Sequence, residues 1–324
     1  MNNERGRLIG IGYRMLGSYS DAEDAASEAL VRWYRLTDAE RAAIDVPGAW
    51  LTRVVSRICL DMLGSARVRR ENYVGQWLPE PVRGLDSENS VAADPADRVA
   101  QQESVTLALL VVLESLGPAQ RVAFVLHDAF AVPFDEIATV LDRSPAACRQ
   151  LASAAKNHVH SRHHSIADPI EHDRVVRAFA SASAGGDIAS LVSVLAPDVT
   201  LVSDGGGHVS AARNAVLGSD RVARFVRGIT AKSTDLEWSI EPVNGLSGIV
   251  IRRDGAVFGV IGFDVIGFET ADGVVASVWI VLNPDKLRHW DATPAIHSSR
   301  LRRQRVEGRA VRSTSTLENQ VDTR

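Results

Sequence analysis

The 324-residue sequence is 45% hydrophobic and 23% charged, the composition of globular domains, and it is long enough for two or three of them. Its net charge of −4 excludes a chain that coats nucleic acid uniformly while leaving room for local basic surfaces. The absence of an apolar run of about eighteen residues excludes a membrane-spanning helix. The two cysteines, Cys59 and Cys148, are far apart and in no CxxC spacing, so a disulfide or zinc framework is not expected. With an N-terminus unlike a signal peptide, they suggest a reducing cytoplasm.

Residues 5–36 predict two helices. The first, "RLIGIGYRMLG", ends at Gly17; the second opens at a polar cap, Ser20, with Asp21, Glu23 and Asp24 in a first turn that favours acids. Ala26, Leu30, Trp33 and Tyr34 follow at helical spacing. After a polar connection over 37–46, Pro47 starts a third helix with Trp50, Leu51, Val54, Val55, Ile58 and Met62 as its inner stripe. Arg53 and Arg57 share another face of it, and Arg67, Arg69 and Arg70 crowd its end. Such arginines suit phosphate oxygens, or else form a solvated helix face.

Residues 73–100 read as a linker. Within it, Trp77 is followed by Leu78, Pro79, Glu80 and Pro81, an extended stretch whose large aromatic needs a surface to cover it. Helices resume over 101–116, 118–130 and 134–142, and another opens at the cap Ser144 and at Pro145. The last two make a helix-turn-helix pattern. Arg149, Gln150, Ser153 and Lys156 fall on adjacent turns of its second helix, with Ala152 and Ala154 too small to obstruct a groove. Arginine and glutamine pair bidentately with base edges.

From residue 168 the pattern changes to two helices split at Gly185-Gly186, the strand "VTLVSDGGG", a helix, and strands over 236–282 with NG, DG and DG turns between them. This predicts a separate α+β domain. The polar tail, with five arginines against one glutamate between Leu301 and Arg312, is expected to be disordered. Asp264, Glu269, Glu241 and His208 qualify by residue type as general bases, yet no spacing separates them from solvated strand or turn residues. His158, His160, His163 and His164 read as a metal cluster or as the frayed end of a basic helix, where consecutive histidines do not share a face. No cofactor is called for.

"RLIGIGYRMLGSYSDAEDAASEALVRWY" and "GAWLTRVVSRICLDMLGSARVRRENYV" resemble region two of bacterial sigma-70 family factors, and "SLGPAQRVAFVLHDAFAVPFDEIATVLDRSPAACRQLASAAKNHV" resembles region four. The compact layout is that of the extracytoplasmic-function group. "WLPEP" at 77–81, "DGGGH" at 204–208 and "NPDKL" at 283–287 look like signatures of the subgroup with a fused SnoaL-like domain, although lysine usually stands where His208 does. The resemblance implies two all-α units, region two over 1–72 and region four over 101–165, joined by the 73–100 linker. They are followed by a cone-shaped α+β SnoaL-like domain over 168–290 and a disordered tail over 291–324.

The resemblance also implies a non-enzymatic, cytoplasmic sigma factor whose partners are core RNA polymerase, promoter DNA and an unidentified small-molecule ligand of the fused domain. Asp21, Glu23, Asp24 and Glu28 would dock on polymerase. Arg53, Arg57, Arg67, Arg69, Arg70, Ser144, Arg149, Gln150, Ser153 and Lys156 would meet DNA. Asp204, Gly205, Gly206, Gly207 and His208, together with Asn283, Pro284, Asp285, Lys286 and Leu287, would lie near Trp77–Pro81 and pin the linker. The alternatives are a ligand-responsive helix-turn-helix regulator acting without polymerase and a SnoaL-like isomerase or cyclase.

Overall fold

The computed structural model describes residues 2–71, 73–83, 105–162, 167–232, 235–268, 271–291 and 300–301. Helices α1 (Asn2–Leu16), α2 (Tyr19–Arg35), α3 (Asp38–Ala42) and α4 (Pro47–Glu71) form the first unit. The cap of α2 is Ser18 rather than Ser20: the Ser18 hydroxyl accepts from the Asp21 N–H. The 37–46 connection contains α3, held by a capping box between Thr37 and Glu40. Leu8, Ile11, Met15, Ala22, Ala26, Val55 and Cys59 are buried between these helices.

The second unit comprises α5 (Leu107–Glu114), α6 (Pro118–Phe124, continued by a π turn to Ala129), α7 (Phe134–Leu141) and α8 (Pro145–Arg162). Asp142 takes the left-handed conformation between α7 and α8, and Ser144 caps α8 by accepting from the Ala147 N–H. Ala152, expected on the groove side, is instead buried in the core of this unit with Cys148 and Ala155.

The C-terminal unit is α+β. Helices α9 (Pro169–Gly185), α10 (Ile188–Ser193) and α11 (Ser219–Lys232) pack on one face of a sheet. Its strands are β1 (Leu195–Asp204), β2 (Val216–Leu217), β3 (Leu236–Val243), β4 (Leu246–Arg253), β5 (Ala256–Phe268), β6 (Ala271–Val281) and β7 (Arg300–Leu301). Their order among the described residues is β2-β1-β6-β5-β4-β3-β7, with β1 parallel to β6 and the other pairings antiparallel. Two expectations change. Asp272 and Gly273 lie inside β6 rather than in a turn, because Phe268 already pairs with Ala271. The tail supplies β7, and its other residues from 292 onward lie outside the described ones.

Both faces of the sheet are covered, and the strands show it by alternation. Ile249, Ile251, Ile261, Val278 and Ile280 belong to the domain's own core with α9–α11. Their neighbours Val250, Val260, Trp279 and Val281 join one continuous core with the two helical units. Gly262 marks a close approach: a Cβ there would stand 2.7 Å from the Leu107 side chain. A short helix, α12 (Arg288–Asp291), delivers Trp290 to the same core.

Candidate functional site

The linker segment 73–83 is extended and lies in the seam where the helical units meet the sheet domain; Leu78, Pro79, Glu80, Pro81 and Val82 are all buried. Its alternating prolines solve a donor problem. Pro79 and Pro81 have no N–H, and the three intervening donors are each satisfied. The Leu78 N–H donates to Asp204 Oδ2 (2.9 Å), the Glu80 N–H to the Gly17 carbonyl (2.8 Å), and the Val82 N–H to Asn244 Oδ1 (3.1 Å). The carbonyls are claimed as well. Lys286 Nζ donates to that of Leu78 (2.5 Å), the Tyr13 hydroxyl to Glu80 (2.6 Å), Trp290 Nε1 to Pro81 (2.9 Å) and the Asn244 N–H to Val82 (2.8 Å).

Three clusters make these contacts. In the first, Asp204 is fully buried and its carboxylate accepts from the Tyr73 hydroxyl (2.6 Å), the Gly206 N–H (3.0 Å) and Lys286 Nζ (2.7 Å). Asn283 Nδ2 donates to the Tyr73 hydroxyl (2.9 Å), and Lys286 Nζ stands 4.1 Å from the centre of the Trp77 ring. Burial, with the Asp204 carboxylate beside it, drives the Tyr73 phenol well above its ordinary pKa, so it remains a donor. The glycines are fixed by close approach: Gly206, at φ +61°, would put a Cβ 2.4 Å from the Asn283 side chain, and Gly205 one 2.1 Å from the Val209 carbonyl.

In the second cluster Glu80, 2% exposed, caps the start of α2. Its Oε2 accepts from the Tyr19 N–H (2.8 Å) and the Ser18 hydroxyl (3.2 Å), while His289 Nε2 lies 3.6 Å from Oε1. Burial nevertheless outweighs these contacts and raises the Glu80 pKa above the usual carboxyl range. The third cluster is Asn244, in the β3–β4 turn. Its Nδ2 donates to the Tyr13 hydroxyl (2.7 Å) and to the Val105 carbonyl (3.0 Å). One carboxamide thereby touches the first helical unit, the linker and the start of the second unit. Beyond it, linker Arg83 pairs with Glu241 (2.8 Å), which Arg252 also holds.

The expected regulatory residues therefore gather around the linker, with two adjustments. The buried cation facing Asp204 is Lys286, whereas His208 is exposed and stands 3.5 Å from Asp285, a charge pair only when the imidazole is protonated. Pro284 and Asp285 shape the turn that carries Lys286, and Leu287 is buried in the shared core. Tyr13, Tyr73, Val82, Arg83, Asn244 and Trp290 were missed. The NG signal at 244–245 marked the turn, but nothing in the sequence shows what its side chain reaches.

Of the candidate polymerase-docking residues, Asp24 and Glu28 are exposed on α2, with Glu28 bonded to Arg32 (2.8 Å). Asp21 and Glu23 are half-buried, with Glu23 bonded to Arg5 (3.2 Å). Among the DNA candidates, Arg149, Gln150, Ser153 and Lys156 are exposed on α8; Arg149 lies over the Phe134 ring and Lys156 pairs with Asp128 (3.0 Å). Arg57 is exposed, and its Nη2 donates to the Thr139 carbonyl on α7 (2.7 Å), tying α4 of the first unit to the helix-turn-helix. Arg53 is half-buried, with its Nε lacking a hydrogen-bond partner. The side chains of Arg67, Arg69 and Arg70 lie outside the described residues. A second tie joins the units: Arg121 Nη1 donates to the Met15 carbonyl (2.9 Å) and to Glu114 (2.7 Å), and burial lowers its pKa to about 10.

No described helix is long and apolar enough to cross a membrane, and no group of histidine, cysteine, aspartate and glutamate among the described residues is placed to hold a metal ion. His163, His164 and Glu269 lie outside the described residues.

Two family models match the chain: Sigma-70 region 2 over residues 1–69 and Sigma-70 region 4 over residues 106–159. The chain is 43% identical over 291 residues to the ECF RNA polymerase sigma factor SigJ of Mycobacterium tuberculosis, covering 87% of this chain and 90% of that protein. It is 35% identical over 288 residues to the probable ECF RNA polymerase sigma factor SigI of the same species, covering 87% of this chain and 92% of that protein. The crystal structure of the M. tuberculosis SigJ superposes with a TM-score of 0.67 at 39% identity, covering 88% of this chain and 96% of that one.

Proposed function

Because the chain belongs to the extracytoplasmic-function RNA polymerase sigma factors, we propose that the structure is the closed form of such a subunit, held shut by its C-terminal domain. A sigma factor directs promoter-specific initiation, with its second region at the downstream promoter element and its fourth at the upstream one. On this reading α2 docks on core polymerase through Asp24 and Glu28. The exposed Val31 and Tyr34 add apolar contact beside them. Helix α8 reads the upstream element through Arg149 and Gln150, and Ser153 and Lys156 track phosphate. The fused domain regulates rather than catalyses, and the polymerase partner sets a cytoplasmic location.

The observation that carries the closed-form reading is Arg57. A side chain suited to promoter phosphate donates to the Thr139 carbonyl, while residues 78–82 of the linker between the two DNA-reading units are buried beside the sheet domain. Both groups need to be released before the two units can separate along DNA.

Promoter-specific transcription with core polymerase tests this, with Trp77→Ala as the perturbation. The variant should keep its secondary structure, raise protease cleavage within residues 72–100 and change promoter output. Unchanged cleavage and unchanged transcription would reduce the linker to a tether. Tight, sequence-specific DNA binding by the isolated chain would instead favour a repressor.

A further inference from the structure

The sheet domain contains a feature that the linker clamp does not use. Between α11 and the inner face of the sheet lies a cavity of about 560 Å³, within the size range of small-molecule sites. Phe179, Phe225, Trp238, Phe258, Ile261 and Ile280 are among its lining. Phe225, Trp238 and Phe258 are only half-buried although they belong to the domain core. Asp264, Glu241 and His208, the candidate general bases, are not part of the lining. Among the described lining residues the single charged side chain is Arg224, and Asp220 already engages it through two hydrogen bonds, at 2.9 and 3.1 Å.

An apolar cavity of this kind gives water few partners and favours an apolar occupant. A carboxylate or phosphate would have no free cation among the described lining residues, so the fitting ligand is neutral. The hydroxyl-bearing residues of the described lining are Ser203 and Ser210.

Both serines belong to a shared wall. Ser203 and residues 209–212 line the cavity, and the same residues line an adjoining groove with linker residues Val74 and Gly75. The wall is tied internally, since the Ser203 hydroxyl accepts from the Ala212 N–H (2.8 Å). It also abuts the linker: a Cβ on Gly207 would stand 3.3 Å from Val74 Cβ.

We propose that this cavity binds a small, neutral, ring-bearing apolar molecule with one polar group directed at Ser203 and Ser210, and that occupancy is transmitted through residues 209–212 to the linker at Val74–Gly75. The transmission half rests on the linker-clamp reading above; the binding half stands without it.

The test uses the full chain and the neutral fluorescent probe N-phenyl-1-naphthylamine, which brightens in apolar surroundings. Wild type should bind one probe per chain saturably. Ile229→Trp, which fills the cavity, should weaken binding at least tenfold, and Phe258→Ala, which removes an aromatic wall, severalfold. Bound probe should alter protease cleavage within residues 72–100 at least twofold in wild type and not in Ile229→Trp. Should Ile229→Trp lose its circular dichroism signal, Phe258→Ala carries the comparison. No saturable binding, or equal binding by all three chains, overturns the site. Site-dependent binding with unaltered cleavage overturns the transmission, provided that Trp77→Ala does alter cleavage. If Trp77→Ala also leaves it unaltered, the clamp reading has failed, and the transmission that rests on it falls with it.

Discussion

Asn244→Gly isolates one carboxamide. Asn244 sits at φ +51°, where glycine is at ease, so the turn is retained and its backbone N–H still reaches the Val82 carbonyl. What disappears is the acceptor for the Val82 N–H and the donor to the Tyr13 hydroxyl and the Val105 carbonyl. Tyr13 keeps its bond to the Glu80 carbonyl, which leaves two buried backbone groups without partners. At about 1–3 kcal/mol for each buried unsatisfied group, the loss from the two should be about 2–6 kcal/mol. That is a large fraction of the stability of a single domain, about 5–15 kcal/mol. Urea unfolding of the full chain followed by circular dichroism measures it. A double-mutant cycle with Tyr13→Phe should show coupling of about 0.5–1.5 kcal/mol, since the two side chains bond directly. A loss below about 1 kcal/mol, with no coupling, would mean that water replaces the carboxamide and that Asn244 is only a turn residue.

Lys286→Met leaves the Asp204 carboxylate buried without its cation and should cost about 3–5 kcal/mol in urea unfolding. Adding Asp204→Asn should restore much of that, and equal loss in the single and double variants would sink the ion-pair account. For Glu80, the folded-state pKa lies above its unfolded value, so its contribution is stabilising below the unfolded pKa and is lost as pH rises through the folded one. Relative to Glu80→Gln, wild type should therefore gain stability on acidification from neutrality; a pH-independent difference between the two unfolding midpoints would contradict this. The groups facing that carboxylate, Ser18, Tyr19, Ser20 and His289, are the same in both proteins. Arg149→Ala should cost about 1–3 kcal/mol of discrimination at one upstream base pair, read from transcription of promoter variants by the holoenzyme. A uniform loss across the variants would reassign Arg149 to phosphate.

Local chemistry made the elements legible. Pro47 and Pro145 open helices, Gly186 ends one in the left-handed conformation, and the NG and DG pairs at 244–245 and 254–255 sit in hairpin turns. The apolar strands "AVFGVIGFDVIGF" and "VVASVWIVL" already carried the sign of a sheet buried on both faces, although alternation alone does not say which layer covers each face. The motifs around Trp77, Asp204 and Asn283 marked the neighbourhood of the linker. Its remaining partners were not legible, for a physical reason. The contacts of Tyr13, Asn244 and Trp290 with the linker join residues far apart in the chain, and they aim at main-chain atoms, which have no sequence signature. Arg57 shows the same limit: its residue type suited DNA, but nothing in the sequence pointed to its bond with the Thr139 carbonyl across the two helical units.

A segment gripped along its main chain behaves as a zipper more than as a latch. The bonds at Leu78, Glu80 and Val82 hold one another in register, so none opens easily while its neighbours remain closed, and release should begin at an end. The ends answer to different bodies. Val74 lies toward the glycine loop and the cavity wall, whereas Glu80 bridges to the first turn of α2, on the helix proposed to dock on polymerase. A small molecule and the polymerase would then peel the same strand from opposite directions. Each would shorten the stretch that the other has left to open, and their effects would multiply even though their binding surfaces never meet.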